Sequence, residues 1–183
     1  VAFSADSPID RGSVVLTGSA SFTSQGGDLY ASEGHYDDYG NPTGGGGDRL
    51  NSFTLQSTIG GFVSKGFNLG GAFALQSASQ GGDSYTLLGI GPKVAYFFGA
   101  NAIDEQVKGS TIPVVGASFL YRSISGGGDT ATGTSFSFSG GIVHMVTRSV
   151  ALDVEAVYQI DTFESVGGNT IGVLAGLGFF IWE

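Results

Sequence analysis

The chain has 183 residues, a length that predicts a single domain over residues 1–183. Its 7 basic and 16 acidic residues give a formal net charge of −9, which argues against nucleic-acid binding because that requires basic patches. The chain contains no cysteine, so disulfide staples and thiol chemistry are excluded. It has no run of about 20 apolar residues, so no transmembrane helix is predicted.

Eight segments alternate apolar residues with small or polar ones, and Gly-rich turns separate them. Successive side chains of a strand point to opposite faces, so each segment is predicted to be a strand with one apolar and one polar face. In chain order the predicted strands cover residues 13–24, 51–63, 68–79, 85–98, 111–122, 134–146, 150–161 and 170–182.

The seventh strand shows this pattern most clearly. Its even positions from Val150 to Ile160 are all apolar, whereas Asp153 and Glu155 lie on the other face. A soluble sandwich would bury the apolar face against a second sheet, but a membrane barrel turns it outward to lipid and keeps the polar face inside. The eighth strand is apolar on both faces, which leaves its orientation open.

The links between the strands differ in length and composition. Those after the second and sixth strands are tight, whereas those after the first, third, fifth and seventh are rich in Gly and Asp, and the first spans residues 25–50. Outer-membrane barrels have short periplasmic turns, longer external loops and an even strand number. We therefore predict an eight-stranded antiparallel up-and-down transmembrane β-barrel with long Gly/Asp-rich external loops and both termini at the periplasmic end. Closure removes the strand edges that hydrocarbon cannot satisfy.

Aromatic residues cluster near both ends of the predicted strands. Two aromatic bands at the headgroup levels are typical of membrane barrels, although aromatic residues also favour strands in general. We predict an outer girdle of Phe22, Tyr85, Tyr121 and Tyr158 and an inner girdle of Phe67, Tyr96, Phe98, Phe179 and Trp182.

The whole pattern from Gly12 onward resembles the small eight-stranded outer-membrane barrels typified by the OmpA membrane domain and OmpX. Their last strand usually alternates aromatic residues and ends in Phe. Here the stretch from Gly176 to Glu183 offers a similar ending, with Phe179 and Ile181 followed by Trp182. The resemblance implies an outer-membrane protein of a diderm bacterium. Full-length OmpA-type proteins carry a periplasmic peptidoglycan-binding domain after the barrel, and this sequence is expected to be either a barrel trimmed of such a domain or a lone barrel.

Four charged residues are predicted to face the barrel interior: Lys93, Arg122, Asp153 and Glu155. An eight-stranded barrel is only wide enough for its own side chains, and buried charges must pair because each alone is costly to desolvate. We interpret them as a structural ion network that plugs the lumen, with a gated ion path as the alternative. Interior glycines would make room for the long side chains: Gly89, Gly91, Gly116 and Gly141.

A Gly-Gly-Asp tripeptide recurs in the links assigned to the outside. It supplies ordinary turn chemistry, and the carboxylates also make the outer face acidic. Oxygen ligands suit Ca²⁺ or Mg²⁺, so we predict at most weak divalent-cation association and no firm metal site, because the sequence lacks the known Ca²⁺-binding loops. The candidate carboxylates are Asp28, Asp37, Asp38, Asp48, Asp83 and Asp129.

Enzyme chemistry has little support in the sequence. Lipid-modifying barrels need a His with a Ser or carboxylate near the outer leaflet. His144 falls at the periplasmic end of the sixth strand, and His35 falls in a Gly-flanked loop, although a catalytic group needs rigid support. No catalytic residue and no cofactor are predicted.

The sequence thus predicts a non-enzymatic, monomeric outer-membrane barrel that serves envelope integrity or surface interaction through its acidic external loops. Expected partners are outer-membrane lipid or lipopolysaccharide and an extracellular surface partner, without nucleic acid. Three alternatives remain open: an outer-leaflet lipid-modifying enzyme, a small-solute or ion pore, and a soluble lipocalin-like binding barrel. The lipocalin alternative is disfavoured because lipocalins line their cavity with apolar residues and expose polar ones.

Overall fold

A computed structural model of the chain describes residues 7–25, 50–80, 83–99, 107–126, 129–163 and 166–182. Eight antiparallel strands close into a barrel in chain order. They are β1 (Val14–Gln25), β2 (Leu50–Ser64), β3 (Phe67–Gln80), β4 (Asp83–Phe97), β5 (Thr111–Gly126), β6 (Asp129–Met145), β7 (Val150–Phe163) and β8 (Val166–Ile181). The described segments contain no helix that is long and apolar enough to cross a membrane.

All eight predicted strands are present, and their ends at the short-turn side agree closely with the prediction. At the opposite side the strands run further than predicted, and β5 and β6 remain paired as far as Gly126 and Asp129. This extension carries Ser and Thr on its outward face and small or apolar residues, including Ile124 and Ala131, on its inward face, so it lacks the apolar outward row from which the strands were predicted. Backbone pairing nevertheless continues there, because it needs no apolar face.

The extended strands correct one part of the loop prediction. β3 pairs with β4 up to Gln80 and Asp83, β5 with β6 up to Gly126, and β7 with β8 up to Phe163 and Val166. Only two residues are therefore left in each of these three links, where long external loops were expected. In two of these links the two residues are Gly-Gly, a composition that suits a hairpin connection.

The outer surface of the barrel is an apolar band. On every strand one set of alternate side chains is exposed and apolar, as with Ile90 on β4, Phe119 on β5 and Val154 on β7. The intervening side chains point into the barrel, where Ser118, Ser135 and Asp153 are buried. A surface that is apolar outside and polar inside is typical of a transmembrane barrel rather than of a soluble lipocalin.

The interior at the short-turn end departs from that rule, because it is filled with apolar side chains. The rings of Phe62, Phe97 and Phe180 pack together, with centroids 5.1 Å apart for Phe62–Phe97 and 6.3 Å apart for Phe97–Phe180. We call this group the inner plug. It comprises Ile9, Val15, Phe62, Ala95, Phe97, Ile112, Val114, Val143, Met145, Ala151 and Phe180.

The segment before β1 completes the inner plug from below. Ile9 is fully buried in it, and the Gly66 N–H donates a hydrogen bond of 2.8 Å to the Ile9 carbonyl. The Gly12 N–H donates to the Phe62 carbonyl over 2.9 Å, and the Ser13 hydroxyl donates to the Ser7 carbonyl over 2.8 Å. These bonds tie residues 7–13 across the short-turn end of the barrel.

Candidate functional site

The middle of the barrel interior holds a layer of charge above the inner plug. Lys93 on β4 and Glu155 on β7 lie across the lumen from each other, with Nζ 3.6 Å from Oε1. β4 and β7 are not neighbours in the closed barrel, so this ion pair spans the interior. Both side chains are largely buried, and such a pair is costly to break because one desolvated charge would remain.

Asp153 lies on the same face of β7 as Glu155, two residues away, and is also buried. Its Oδ1 atom has no hydrogen-bond partner within the described segments. Asp153, Glu155 and Lys93 together line two small voids of about 20 Å³ each. Voids of this size hold about one water molecule each.

Arg122 forms a separate cluster nearer the long-strand end. Its Nη1 donates to Asp161 Oδ1 over 3.1 Å, and the same carboxylate accepts hydrogen bonds from the Ser135 hydroxyl (2.5 Å) and from the Gln159 amide (2.8 Å). The partner of Arg122 is therefore Asp161, not Asp153 or Glu155. Asp161 lies on the same face of β7 as those two carboxylates, so alternation along the strand could not predict which of the three carboxylates pairs with Arg122 and which with Lys93.

Two glycines make room for these cations. A Cβ on Gly89 would lie 3.3 Å from Arg122 Cγ, and one on Gly116 would lie 2.9 Å from the Ser139 hydroxyl and 3.5 Å from Lys93 Cε. Gly91 and Gly141 are required for a different reason. A Cβ there would collide with the backbone carbonyls of Phe119 and Val154 on the neighbouring strands, so these glycines permit close strand approach.

Above the charged layer the interior opens into a cavity of about 660 Å³. The Arg122–Asp161 pair lies in its wall, together with amide and hydroxyl side chains such as Gln56, Gln76 and Thr54. The barrel interior thus has three levels: an apolar inner plug, a charged layer and an outer polar cavity.

The aromatic girdles are only partly as predicted. Phe22, Tyr121 and Tyr158 at the outer level and Tyr96, Phe98 and Phe179 at the inner level are exposed on the lipid side. Tyr96 and Phe98 also contact each other edge to face at 4.9 Å. Phe67 is half-buried on the outward-facing row of β3.

Two girdle assignments are wrong. Tyr85 lines the outer cavity, because odd positions on β4 face inward. Trp182 packs against the inner plug, and its indole N–H donates to the Arg148 carbonyl over 3.1 Å. Phe179 faces outward and Phe180 faces inward, so alternation places Ile181 outside and Trp182 inside. This orientation could not be predicted from the sequence, because the strand is apolar on both faces.

The remaining candidates lie at the ends of the barrel or outside the described segments. His144 sits at the short-turn end, where Nδ1 lies 2.9 Å from the Thr111 hydroxyl. Asp83 and Asp129 begin β4 and β6. His35, Asp28, Asp37, Asp38 and Asp48 lie outside the described residues. No cluster of metal-ligating side chains occurs in the part of the chain that the structure describes.

The inner plug is the feature that the sequence analysis missed. A signal for it was present, because alternation fails near the short-turn ends of several strands. On β5, the inward-facing Ile112 and Val114 are followed by the outward-facing Val115, and on β4 the inward-facing Phe97 precedes the outward-facing Phe98. Where a strand is apolar on both faces at one end only, the outward residues can face lipid and the inward residues can pack into an apolar plug.

No protein-family model matches the chain, and no curated protein matches its sequence. Solved structures do match. Neisserial surface protein A (NspA) aligns with a TM-score of 0.57 and 17% identity over 92% of this chain and 96% of that chain. The outer membrane protein OprG from Pseudomonas aeruginosa aligns with a TM-score of 0.57 and 10% identity over 98% of this chain and 100% of that chain.

The chain has the fold of the small eight-stranded outer-membrane barrels. A third structure, the attachment invasion locus protein Ail of Yersinia pestis, aligns with a TM-score of 0.44 and 13% identity over 93% of this chain and 99% of that chain. The fold prediction is confirmed, and the outer membrane is the location that this fold and its apolar band imply. At these identities the likeness concerns the fold, not the activity.

Proposed function

We propose that this chain is a non-enzymatic outer-membrane barrel that does not conduct, and that it serves envelope integrity or surface interaction through its external end. The observation that carries the proposal is the inner plug. Phe62, Phe97 and Phe180 fill the interior at the short-turn end, and residues 7–13 are hydrogen-bonded beneath them, which supports a lumen closed toward the periplasm.

The charged layer supports the same function. The Lys93–Glu155 pair crosses the lumen at 3.6 Å, and the voids beside it are about 20 Å³. A hydrated ion would have to break this buried pair and then cross the inner plug. The alternative of a small-solute or ion pore therefore requires two barriers to open together.

The external end supports a role at the cell surface. The long link between β1 and β2 contains Asp28, Asp37, Asp38 and Asp48, and it contributes to the net charge of −9. A negative surface of this kind favours partners or cations of opposite charge. A lipid-modifying enzyme would need a supported His at this end, and His35 in that link is the sole histidine available there.

Ion flux across reconstituted planar bilayers tests the sealed lumen. We expect the wild-type barrel to give no steady conductance, and a variant with Phe97→Ala and Phe180→Ala to raise ion flux by thinning the inner plug. The matched control carries Phe98→Ala and Phe179→Ala, which remove the lipid-facing neighbours and should stay closed. Steady ohmic conductance through the wild-type barrel would contradict the proposal.

Binding to intact host cells and matrix proteins tests the surface role. The purified barrel is compared with a version in which residues 26–49 are replaced by a short turn. We expect binding of the full chain and loss of binding with the short turn. Equal binding by both versions would show that the link between β1 and β2 does not take part in binding.

A further inference from the structure

The junction between β1 and β8 is paired over only part of its length. It runs from the Val14–Ile181 pair to the Ala20–Ala175 pair. Beyond it, β1 stays paired with β2 as far as Gln25, and β8 stays paired with β7 as far as Val166. Within the described residues, the facing edges of β1 and β8 above Ala20 are therefore not paired with each other. We call this stretch the lateral gap.

The lateral gap lies at the depth of the outer lipid leaflet. Ile171 on β8 is register partner to Tyr158 on β7, an outer-girdle residue. Ile171 is 80% exposed, Val173 is 65% exposed, and Phe22 on the opposite side of the gap is 68% exposed. In hydrocarbon each unsatisfied backbone polar group costs several kcal/mol, so an unpaired edge at this depth favours an occupant that supplies polar partners.

The outer cavity borders this gap. Its wall includes five consecutive residues of β8, from Thr170 to Leu174. Alternate residues of this stretch face inward and outward, and the stretch lies on the edge of β8 that is not paired with β1. The cavity therefore lies against the free edge of β8, at the opening between β1 and β8.

The chemistry changes along the cavity. Its interior wall carries amides and hydroxyls, including Gln56, Gln76 and Gln159, together with the internally neutral Arg122–Asp161 pair. The side at the gap is apolar, with Ile171 and Val173. The layer beneath holds two carboxylates against one ammonium, and that excess of negative charge disfavours an anionic head group.

We propose that the lateral gap is a binding site for a single-chain amphiphile with an uncharged, hydroxyl-rich head. The head occupies the cavity and hydrogen-bonds both its amides and hydroxyls and the free backbone groups along the edges of β1 and β8, and the alkyl chain leaves between these edges into the outer leaflet. A volume of about 660 Å³ falls in the range of small-molecule sites, about 300–1,000 Å³. The site is separate from the inner plug, so its failure leaves the sealed-lumen proposal standing.

Photolabelling in phosphatidylcholine nanodiscs tests the site, with an alkyl maltoside that carries a diazirine in its chain. We expect saturable labelling of residues 170–174, including the inward-facing Thr170 and Gly172, that excess unlabelled alkyl maltoside suppresses. An alkyl sulfate of the same chain length should compete about tenfold more weakly. Labelling confined to lipid-facing residues around the whole barrel, without saturation, would overturn the proposal.

A single substitution at Gly172 tests the cavity. A Cβ on Gly172 would meet no atom within 4 Å, and the same holds for Gly140, which faces lipid on β6. We expect Gly172→Phe to reduce saturable labelling about tenfold and Gly140→Phe to leave it unchanged. Equal labelling of the two variants would contradict a site at the gap.

Cysteine pairs in this cysteine-free chain test the gap itself. Ser21→Cys with Leu174→Cys places thiols across the lateral gap, and Thr17→Cys with Gly178→Cys places them at a paired position of the same junction. We expect the Thr17→Cys/Gly178→Cys pair to oxidise readily without affecting photolabelling. The Ser21→Cys/Leu174→Cys pair should oxidise more slowly and, once oxidised, prevent the maltoside probe from labelling residues 170–174. Equally rapid oxidation of both pairs with unchanged labelling would show that the junction is closed.

Discussion

Neighbouring residues on β7 face opposite environments. Val154 points to the lipid side at mid-height of the apolar band, whereas Asp153 and Glu155 are buried in the lumen. Because side chains alternate along a strand, the even-numbered positions of β7 face lipid and the odd-numbered positions face the lumen. A change of charge at one of these positions should therefore have an effect that its neighbours do not share.

Val154→Arg is expected to destabilise the barrel by about 2–4 kcal/mol, because it brings a cation to the bilayer midplane. Val154→Asp should cost less, and Val154→Leu should be nearly neutral. The same arginine at Ser137, which faces the lumen beside Ser118, should be milder than at Val154. Urea unfolding in lipid vesicles measures all four, and a Val154→Arg barrel as stable as wild type would reverse the inside–outside assignment.

The ion pair across the lumen makes its own prediction. Lys93→Met alone leaves two buried carboxylates without their cation, and loss of one partner of a buried pair costs about 3–5 kcal/mol. The double variant with Glu155→Gln should regain part of this stability. A double-mutant cycle on the free energy of unfolding measures the coupling between the two residues. A coupling energy of zero would show that the Lys93–Glu155 pair does not stabilise the barrel.

At the scale of elements, strand packing in this barrel depends on close approach at particular glycines. Gly141 on β6 lies where a Cβ would collide with the Val154 carbonyl of β7, whereas Gly140 beside it has open space. Crowding of this kind typically costs about 1–3 kcal/mol. Strand pairing between β6 and β7 should therefore respond very differently to the same substitution at adjacent positions.

Gly141→Ala is expected to destabilise the barrel by about 1–3 kcal/mol because the added methyl group must push β6 and β7 apart. Gly140→Ala, facing lipid, should be neutral or slightly stabilising, since alanine loses less backbone entropy. The midpoint of urea unfolding compares the two. Equal midpoints would show that the β6–β7 spacing is not limited by backbone contact.

The strands could be predicted from sequence where each faces lipid on one side and polar groups on the other. That contrast located the short-turn ends of all eight strands closely. It failed in three places for physical reasons. β5 and β6 extend further with Ser and Thr in place of apolar residues on the outward face, β8 has no polar face to orient Trp182, and the pairing of Arg122 with Asp161 depends on barrel register rather than on alternation.

For the whole molecule, the acidic external segments predict a response to divalent cations. Carboxylates close to anionic lipid repel it, and a bridging cation would relieve that repulsion. We expect Ca²⁺ or Mg²⁺ to associate weakly, with dissociation constants of about 10⁻⁴–10⁻³ M. Thermal melting in millimolar Ca²⁺ compared with chelator measures it. Identical melting would leave the Gly-Gly-Asp repeats as turn chemistry alone.

In the proposed function, the three levels of the interior make the barrel a vessel that is closed toward the periplasm. This arrangement could not be predicted from single strands, because the inner plug is assembled from seven strands and the segment before β1. The lateral gap likewise depends on how far the first and last strands pair. Both features belong to the closed barrel, not to any one element.

Cysteine accessibility along the inward-facing row of β7 tests the closed vessel most directly. The chain has no native cysteine, so Ala151→Cys, Glu155→Cys and Gln159→Cys each report one level of the interior. In oriented vesicles a membrane-impermeant thiol reagent should label Gln159→Cys from the external side and label Ala151→Cys from neither side. Rapid labelling of Ala151→Cys from the external side, or of Glu155→Cys from the periplasmic side, would contradict an interior closed by the inner plug.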